Sequence, residues 1–412
     1  MDKMTTLLVD GWTNSSANRH YIVAMLSTAE DHKIFLESYD ISESQETSDN
    51  LVEIIHKAVA FAKQKYDTEV YAAVTDNAPN MTCMGAQLEP ELWYTTCNSH
   101  TGNLLAKDVI SYSKYKGILS KVMTVQKEFR KPGLESLLLK RGGKKAVLFS
   151  LIRFASCRNA IKSFIGNLAP MRIVAAGTDE VQEGTPETEA KKPGSNVIQL
   201  LFNSSFIDAV KELLIILDPV AELINLCQKS DSSAADAIEK WFELQEKTPR
   251  EIIPVLKTRC EKSKVFNKVS LTSNFFHPIY RGKKFNEAQK KVANDFIFDS
   301  LNANALESSR QFEAEEGIFA ALKRKNIVSP TSYWYYAAKR GHSELAEFAK
   351  KLLKVPASTA QLERLFSNWS FVHGELRNRL TSETSKKLLN IYFTLRANDS
   401  FLEDEEFEDD EN

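Results

Sequence analysis

Thr5-Thr-Leu-Leu-Val-Asp10-Gly-Trp-Thr-Asn14 decides how the chain begins to fold. Its first five residues are apolar or β-branched, the composition of a buried strand. Gly11-Trp12-Thr13-Asn14 reads as the break, which leaves an aspartate on the strand's end. Outward from it, residues 21–26 and 33–39 read as two further strands, joined by the polar Ala29-Glu-Asp-His32. Residues 47–65 read as a helix, with Leu51, Ile54, Ile55, Ala58, Val59 and Ala62 on one face. Val70-Tyr-Ala-Ala-Val-Thr75 is the next strand and carries Asp76-Asn77 at its tip. A short helix and a strand over residues 92–96 follow. The order β-β-β-α-β-α-β predicts a mixed sheet, with three antiparallel strands first and a parallel crossover after them.

The 412 residues are 43% hydrophobic and 26% charged, ordinary usage for a globular chain of two or three structural units. No apolar run approaches the ~18 residues of a membrane-spanning helix, so no membrane partner is expected. Five scattered cysteines, an odd number, argue for a reducing compartment rather than a disulfide framework. Net charge is −2, yet residues 403–411 hold eight acidic residues in nine, so the remainder is mildly basic. That acidic tail, over residues 399–412, is expected to be disordered.

From about residue 101 to residue 349 the pattern turns helical, for example over 206–226 and 288–301, and strand signals almost vanish. A Pro/Gly-rich polar stretch over 177–196 reads as a flexible loop. Then comes Val355-Pro-Ala-Ser-Thr-Ala-Gln-Leu-Glu-Arg-Leu-Phe-Ser367. Pro356 and the Ser358/Gln361 spacing of a capping box mark a helix start. Leu362, Leu365, Phe366 and Trp369 commit one stripe to a core, with Glu363 at its edge and Arg364 further out. The expected domains are a sheet part over 1–100, a helical insertion over 101–349, and a closing part over 350–398. Within the last, residues 382–396 read as a second helix whose apolar residues cover more than one stripe.

Asp10, Asp76 and Glu363, two on strands and one on a helix edge, are the carboxylate set that two-metal phosphoryl transfer uses. Mg²⁺ takes hard oxygen ligands and keeps several waters, so a few carboxylates suffice. On spacing alone the signal is weak, because 55 acidic residues offer many triples.

Four blocks carry a resemblance: Leu8-Val-Asp-Gly-Trp-Thr13, Thr75-Asp-Asn-Ala-Pro-Asn-Met81, Cys97-Asn-Ser-His-Thr-Gly-Asn-Leu104, and Pro356 to Ser367 with Arg377-Asn-Arg-Leu380. In that order the chain resembles the hAT superfamily of DNA transposases over essentially its whole length. The resemblance implies an RNase H-like α/β core split by a large α-helical insertion, and a C-terminal dimerisation region. It implies a catalytic DDE triad of Asp10, Asp76 and Glu363 holding two Mg²⁺ (or Mn²⁺) ions. It implies DNA as partner, a homodimer or larger homo-oligomer, and a nuclear location.

The family's BED-type zinc finger has no counterpart among these residues, and the usual Thr-Arg-Trp motif reads Ile152-Arg153-Phe154. Both departures favour a rival expectation: a domesticated, catalytically inactive nuclear protein that dimerises and binds DNA or protein. Cys97 and His100 have a metal-like spacing, but structural zinc needs four ligands and no second pair is near. A buried thiol and a hydrogen-bonded histidine is the chemical expectation, while the resemblance makes the pair a motif that contacts DNA or positions Asp76. Residues 114–145 hold ten basic and two acidic residues. Lys140, Arg141, Lys144 and Lys145, with Arg153, are therefore candidate phosphate contacts. Trp334 with its tyrosine neighbours reads either as core or as a stacking platform.

Overall fold

The computed structural model describes residues 4–14, 18–30, 32–89, 91–149, 156–177, 192–372, 384, 387–388 and 391. Arg153, most of the polar stretch over 177–196, Arg377 to Leu380, most of the expected helix over 382–396 and the acidic tail lie outside them. The strands are β1 (Met4–Asn14), β2 (Arg19–Thr28), β3 (Lys33–Asp40), β4 (Glu69–Thr75) and β5 (Trp93–Thr96), in the sheet order β3-β2-β1-β4-β5. β2 runs antiparallel to both β1 and β3, and β4 runs parallel to both β1 and β5. This is the mixed sheet of an RNase H-like α/β core.

β1 does not break after Asp10. Gly11 pairs with Ile22, Trp12 with Tyr21 and Asn14 with Arg19, so the strand continues as one arm of a hairpin. The break that glycine suggests is overridden because β2 supplies a ladder partner for every residue through Asn14. β4 does end at Thr75, paired with Val9.

The alternation of each strand divides its residues between two cores. Leu7, Val9, Ile22, Ala24 and Ala73 face one side. There they meet α1 (Ser48–Tyr66) through Leu51, Ile54, Ile55, Ala58 and Ala62, and α2 (Pro79–Leu88) through Met81, Met84 and Leu88. Thr47 caps α1 by accepting the Asn50 N–H, and Pro79 opens α2 where a missing N–H costs nothing. On the other side Leu8, Val23, Met25 and Val74 meet Phe276, Phe312, Trp334, Phe348, Leu362, Leu365 and Trp369.

The compact units are bounded differently from the expected domains. One comprises residues 1–99, 226–242 and 260–412; the other comprises residues 100–225 and 243–259. Residues 260–349, which read as insertion, therefore belong with the sheet. Their helices carry Phe276, Phe296, Phe312 and Trp334, which build one of its two cores, a pairing that helical periodicity does not encode. The second unit is helical, and Val122, Val125, Phe129, Phe164, Leu201 and Leu213 are buried in it.

Candidate active site

Asp10 lies one residue past the Val9–Thr75 pair, and Asp76 one residue past Thr75, so the two carboxylates stand level on neighbouring parallel strands. Val9 faces the α1 side; Asp10 therefore shares the opposite face with Leu8 and with its cross-strand partner Val23. The tip of β4 is braced from behind. The Thr75 hydroxyl shares a 2.9 Å hydrogen bond with the Tyr94 hydroxyl, which donates to the Met81 carbonyl at 3.1 Å. Gly85 leaves room for that ring, since a Cβ there would come within 2.2 Å of Tyr94. Asp76 Oδ1 accepts the Ala78 N–H at 3.1 Å and so shapes its own turn.

Glu363 arrives on the helix Ala360–Val372, whose start is tied to the end of β5. The Asn98 backbone N–H and Nδ2 both donate to the Ala357 carbonyl, at 3.0 and 3.1 Å. Trp241 Nε1 in turn donates to Asn98 Oδ1 at 2.9 Å. Cys97 Sγ accepts the Thr359 N–H at 3.4 Å. Ser358 does not close the expected capping box with Gln361. Its hydroxyl donates to the Cys227 carbonyl at 2.5 Å and accepts the Ala360 N–H at 3.3 Å. Further along, Trp369 stacks on Trp12 with ring centroids 4.4 Å apart, and Tyr21 packs against Trp369 at 5.2 Å. Trp12 is two residues beyond Asp10 on the same strand face, so this stack presses the Glu363 helix onto the face that carries Asp10.

The electrostatics report the convergence. The Asp10 carboxyl is held well above its ordinary value, first by burial, then by the charges of Asp76 and Glu363. The Gly11 N–H, 2.8 Å from Oδ1, and the Thr359 hydroxyl donate to it and pull the other way. Asp10 nonetheless keeps a solvent-accessible edge. Glu363 is pushed up to about 7 by burial, opposed by the adjacent Arg364. Arg364 is exposed and turned to the Gln361 side chain and the Gln228 carbonyl. Crowded carboxylates, with those of Asp10 and Glu363 raised, are a donor set that a divalent cation would relieve. Among the described residues, however, no group of three His, Cys, Asp or Glu side chains converges tightly enough to hold one ion by itself.

The other candidates separate. Cys97 is a buried thiol that also meets the Ser99 hydroxyl at 3.2 Å. His100 is half-buried on the helix that opens at Asn98. In the helical unit much of the basic run is already paired. Lys114 meets Glu212 and Glu251, Lys131 meets Glu128, and Glu135 takes both Arg130 and Lys145. Lys140, Arg141, Lys144 and Lys145 are exposed around a turn in which Gly142 adopts φ +78°. Trp334 and Tyr333 are core residues, whereas Tyr335 and Tyr336 are exposed.

Residues 1–125 match the family model described as a domain of unknown function (DUF659), and residues 314–395 match the hAT family C-terminal dimerisation region. The chain belongs to the hAT transposase family. No curated protein matches it. The two hAT-associated regions partition the site: the first holds Asp10 and Asp76, and the second holds Glu363. The dimerisation region also covers the helix Pro330–Lys339, which exposes Tyr335 and Tyr336. Sequence reading missed Thr359, Trp12 and Trp369 as neighbours of these carboxylates. One signal for Trp12 was available, since a residue two places from Asp10 on a strand shares its face.

Proposed function

We propose that this chain is the catalytic core of a hAT-type DNA transposase, acting by metal-dependent phosphoryl transfer on DNA. The observation that carries this reading is the meeting of Asp10, Asp76 and Glu363 at one end and on one face of the sheet, close enough for Asp76 and Glu363 to raise the Asp10 carboxyl. The hard oxygen donors fit Mg²⁺ or Mn²⁺, and two ions shared among three carboxylates do not require all three to meet at one point. When bound, such ions supply Lewis-acid polarisation of the phosphate and lower the pKa of a coordinated water or 3′-hydroxyl.

The chain's own groups would do the positioning. The Thr359 hydroxyl and the Gly11 N–H orient the Asp10 carboxylate, and the Ala78 N–H orients Asp76. Glu363 with a pKa of about 7 exchanges a proton near neutrality and releases it as a cation binds. Lys140, Arg141, Lys144 and Lys145 would contact phosphates without reading sequence. Self-association through residues 314–395 and a nuclear location complete the proposal.

The test is nicking of duplex DNA by the purified chain. It should need Mg²⁺ or Mn²⁺ and collapse in Asp10→Asn, Asp76→Asn and Glu363→Gln. Nicking that persists in all three variants would refute the assignment. The open spacing of the carboxylates favours a second reading, a hAT-derived protein that binds DNA or protein without cutting. Stabilisation by metal with no nicking would select it.

A further inference from the structure

A cavity of about 450 Å³ opens in the sheet-bearing unit, at the end of β1 remote from Asp10. Met4, which begins β1, lines it, and the six residues from there to Asp10 span about 20 Å of strand. Its volume falls within the ~300–1,000 Å³ of small-molecule sites. Tyr71, Pro330 and Leu353 supply apolar lining, and His277, Asp236 and Lys350 supply polar groups.

The polar groups are unevenly committed. Asp236 is saturated: Oδ2 accepts the Ser233 N–H and hydroxyl at 2.9 and 2.7 Å, and Oδ1 accepts the Tyr280 hydroxyl at 2.9 Å. Glu347 is answered by Lys351 at 3.8 Å. His277 is only 7% exposed, and its ring stacks on Tyr280 with centroids 3.8 Å apart. Its Nδ1 accepts the Ile279 N–H at 3.4 Å, which in the neutral ring leaves the proton on Nε2. Nε2 has no hydrogen-bond partner among the described residues. Burial favours that neutral form, against the pull of Asp236 and Glu239. Lys350 is half-buried and makes no ion pair among the described residues. A recess of about 30 Å³ adjoins, sharing Asp231, Ser233, Leu353 and Lys354 with the cavity; it is lined by Ser232, whose buried hydroxyl has no partner among the described residues. Among the described residues, Lys350, the His277 Nε2–H and the Ser232 hydroxyl can thus donate into this region, while the Asp231 carboxylate is exposed.

We propose that this cavity binds a small organic anion, its carboxylate or phosphate held by Lys350 and the Nε2–H of His277, with its apolar body against Tyr71, Pro330 and Leu353. Nothing in this depends on the carboxylate site at the other end of β1.

The test compares 2-naphthoate, phenyl phosphate and neutral 2-naphthamide by calorimetric titration of the full chain. At least one anion should bind about tenfold or more tightly than the amide, the factor that one charge-assisted contact supplies. Which anion binds better distinguishes carboxylate from phosphate recognition. Lys350→Gln should reduce the anion to the level of the amide with the melting temperature unchanged, since Lys350 makes no ion pair with a described residue. Thr331→Trp, at the mouth, should weaken all three probes. Asp10→Asn should leave binding intact. Equal affinity for anion and amide, no binding of any probe, an unchanged affinity in Lys350→Gln, or loss of binding in Asp10→Asn would each overturn the proposal.

Discussion

Replacing Glu363 with glutamine should make the metal-free protein more stable at alkaline pH and leave it unchanged in acid. Glu363 is raised from 4.5 to about 7 by burial. At about 1.4 kcal/mol per pH unit, this is a preference of about 3 kcal/mol for the protonated carboxyl, and the accessible part of the side chain reduces it to about 2. Because the folded pKa lies above the unfolded one, the contribution is fully present below about pH 4.5 and is lost as pH rises through about 7. At pH 8 the wild type therefore carries an ionised, poorly solvated glutamate that the amide variant lacks. Thermal unfolding in chelator at pH 4.5 and pH 8 reads the difference. The variant should gain about 2 kcal/mol, a few degrees in melting temperature for a unit of this size, at pH 8 only. Adding Mg²⁺ at pH 8 should then stabilise the wild type and largely spare the variant, because the cation supplies what protonation supplied. Parallel melting curves for wild type and variant from pH 4.5 to pH 8 would refute the reasoning. So would destabilisation of the variant at pH 8.

Four further outcomes follow. Trp369→Ala removes the 4.4 Å stack on Trp12 and should cost about 3–5 kcal/mol in chemical denaturation; a loss under about 1 kcal/mol would mean that the stack does not hold the helix. Cys97→Ala leaves the buried Thr359 N–H without its acceptor and should cost about 1–3 kcal/mol. In the native wild type only the exposed Cys83 should react quickly with a thiol reagent, read by mass spectrometry, since the other four thiols are buried. DNA affinity should fall steeply with salt and vary little with sequence. Lys140→Gln and Arg141→Gln should each lower the slope of log K against log salt by about 0.9, and an unchanged slope would remove that turn from the DNA surface.

Much of the sheet was legible because its signals are local. Apolar β-branched runs marked all five strands, and the periodicity from Leu51 to Ala62 marked the crossover helix that makes β4 parallel to β1. Asp10, Asp76 and Glu363 could be chosen from the sequence, but only by resemblance, since spacing alone could not single out three among 55 acidic residues. What tertiary structure decided is how they meet. Whether Gly11 ends a strand depended on β2 offering Ile22 as a partner. That the Cys97 thiol braces the start of a helix depended on Thr359, 262 residues away along the chain. Whether residues 260–349 belong to an insertion or to the core depended on which apolar faces they found. The raised Asp10 carboxyl is likewise a property of the assembly, because burial and the charges of Asp76 and Glu363 create it together. Periodicity and propensity act over a few residues, and they specify elements. Burial, hydrogen-bond satisfaction and charge repulsion act between elements far apart in the chain, and only folding brings those elements together.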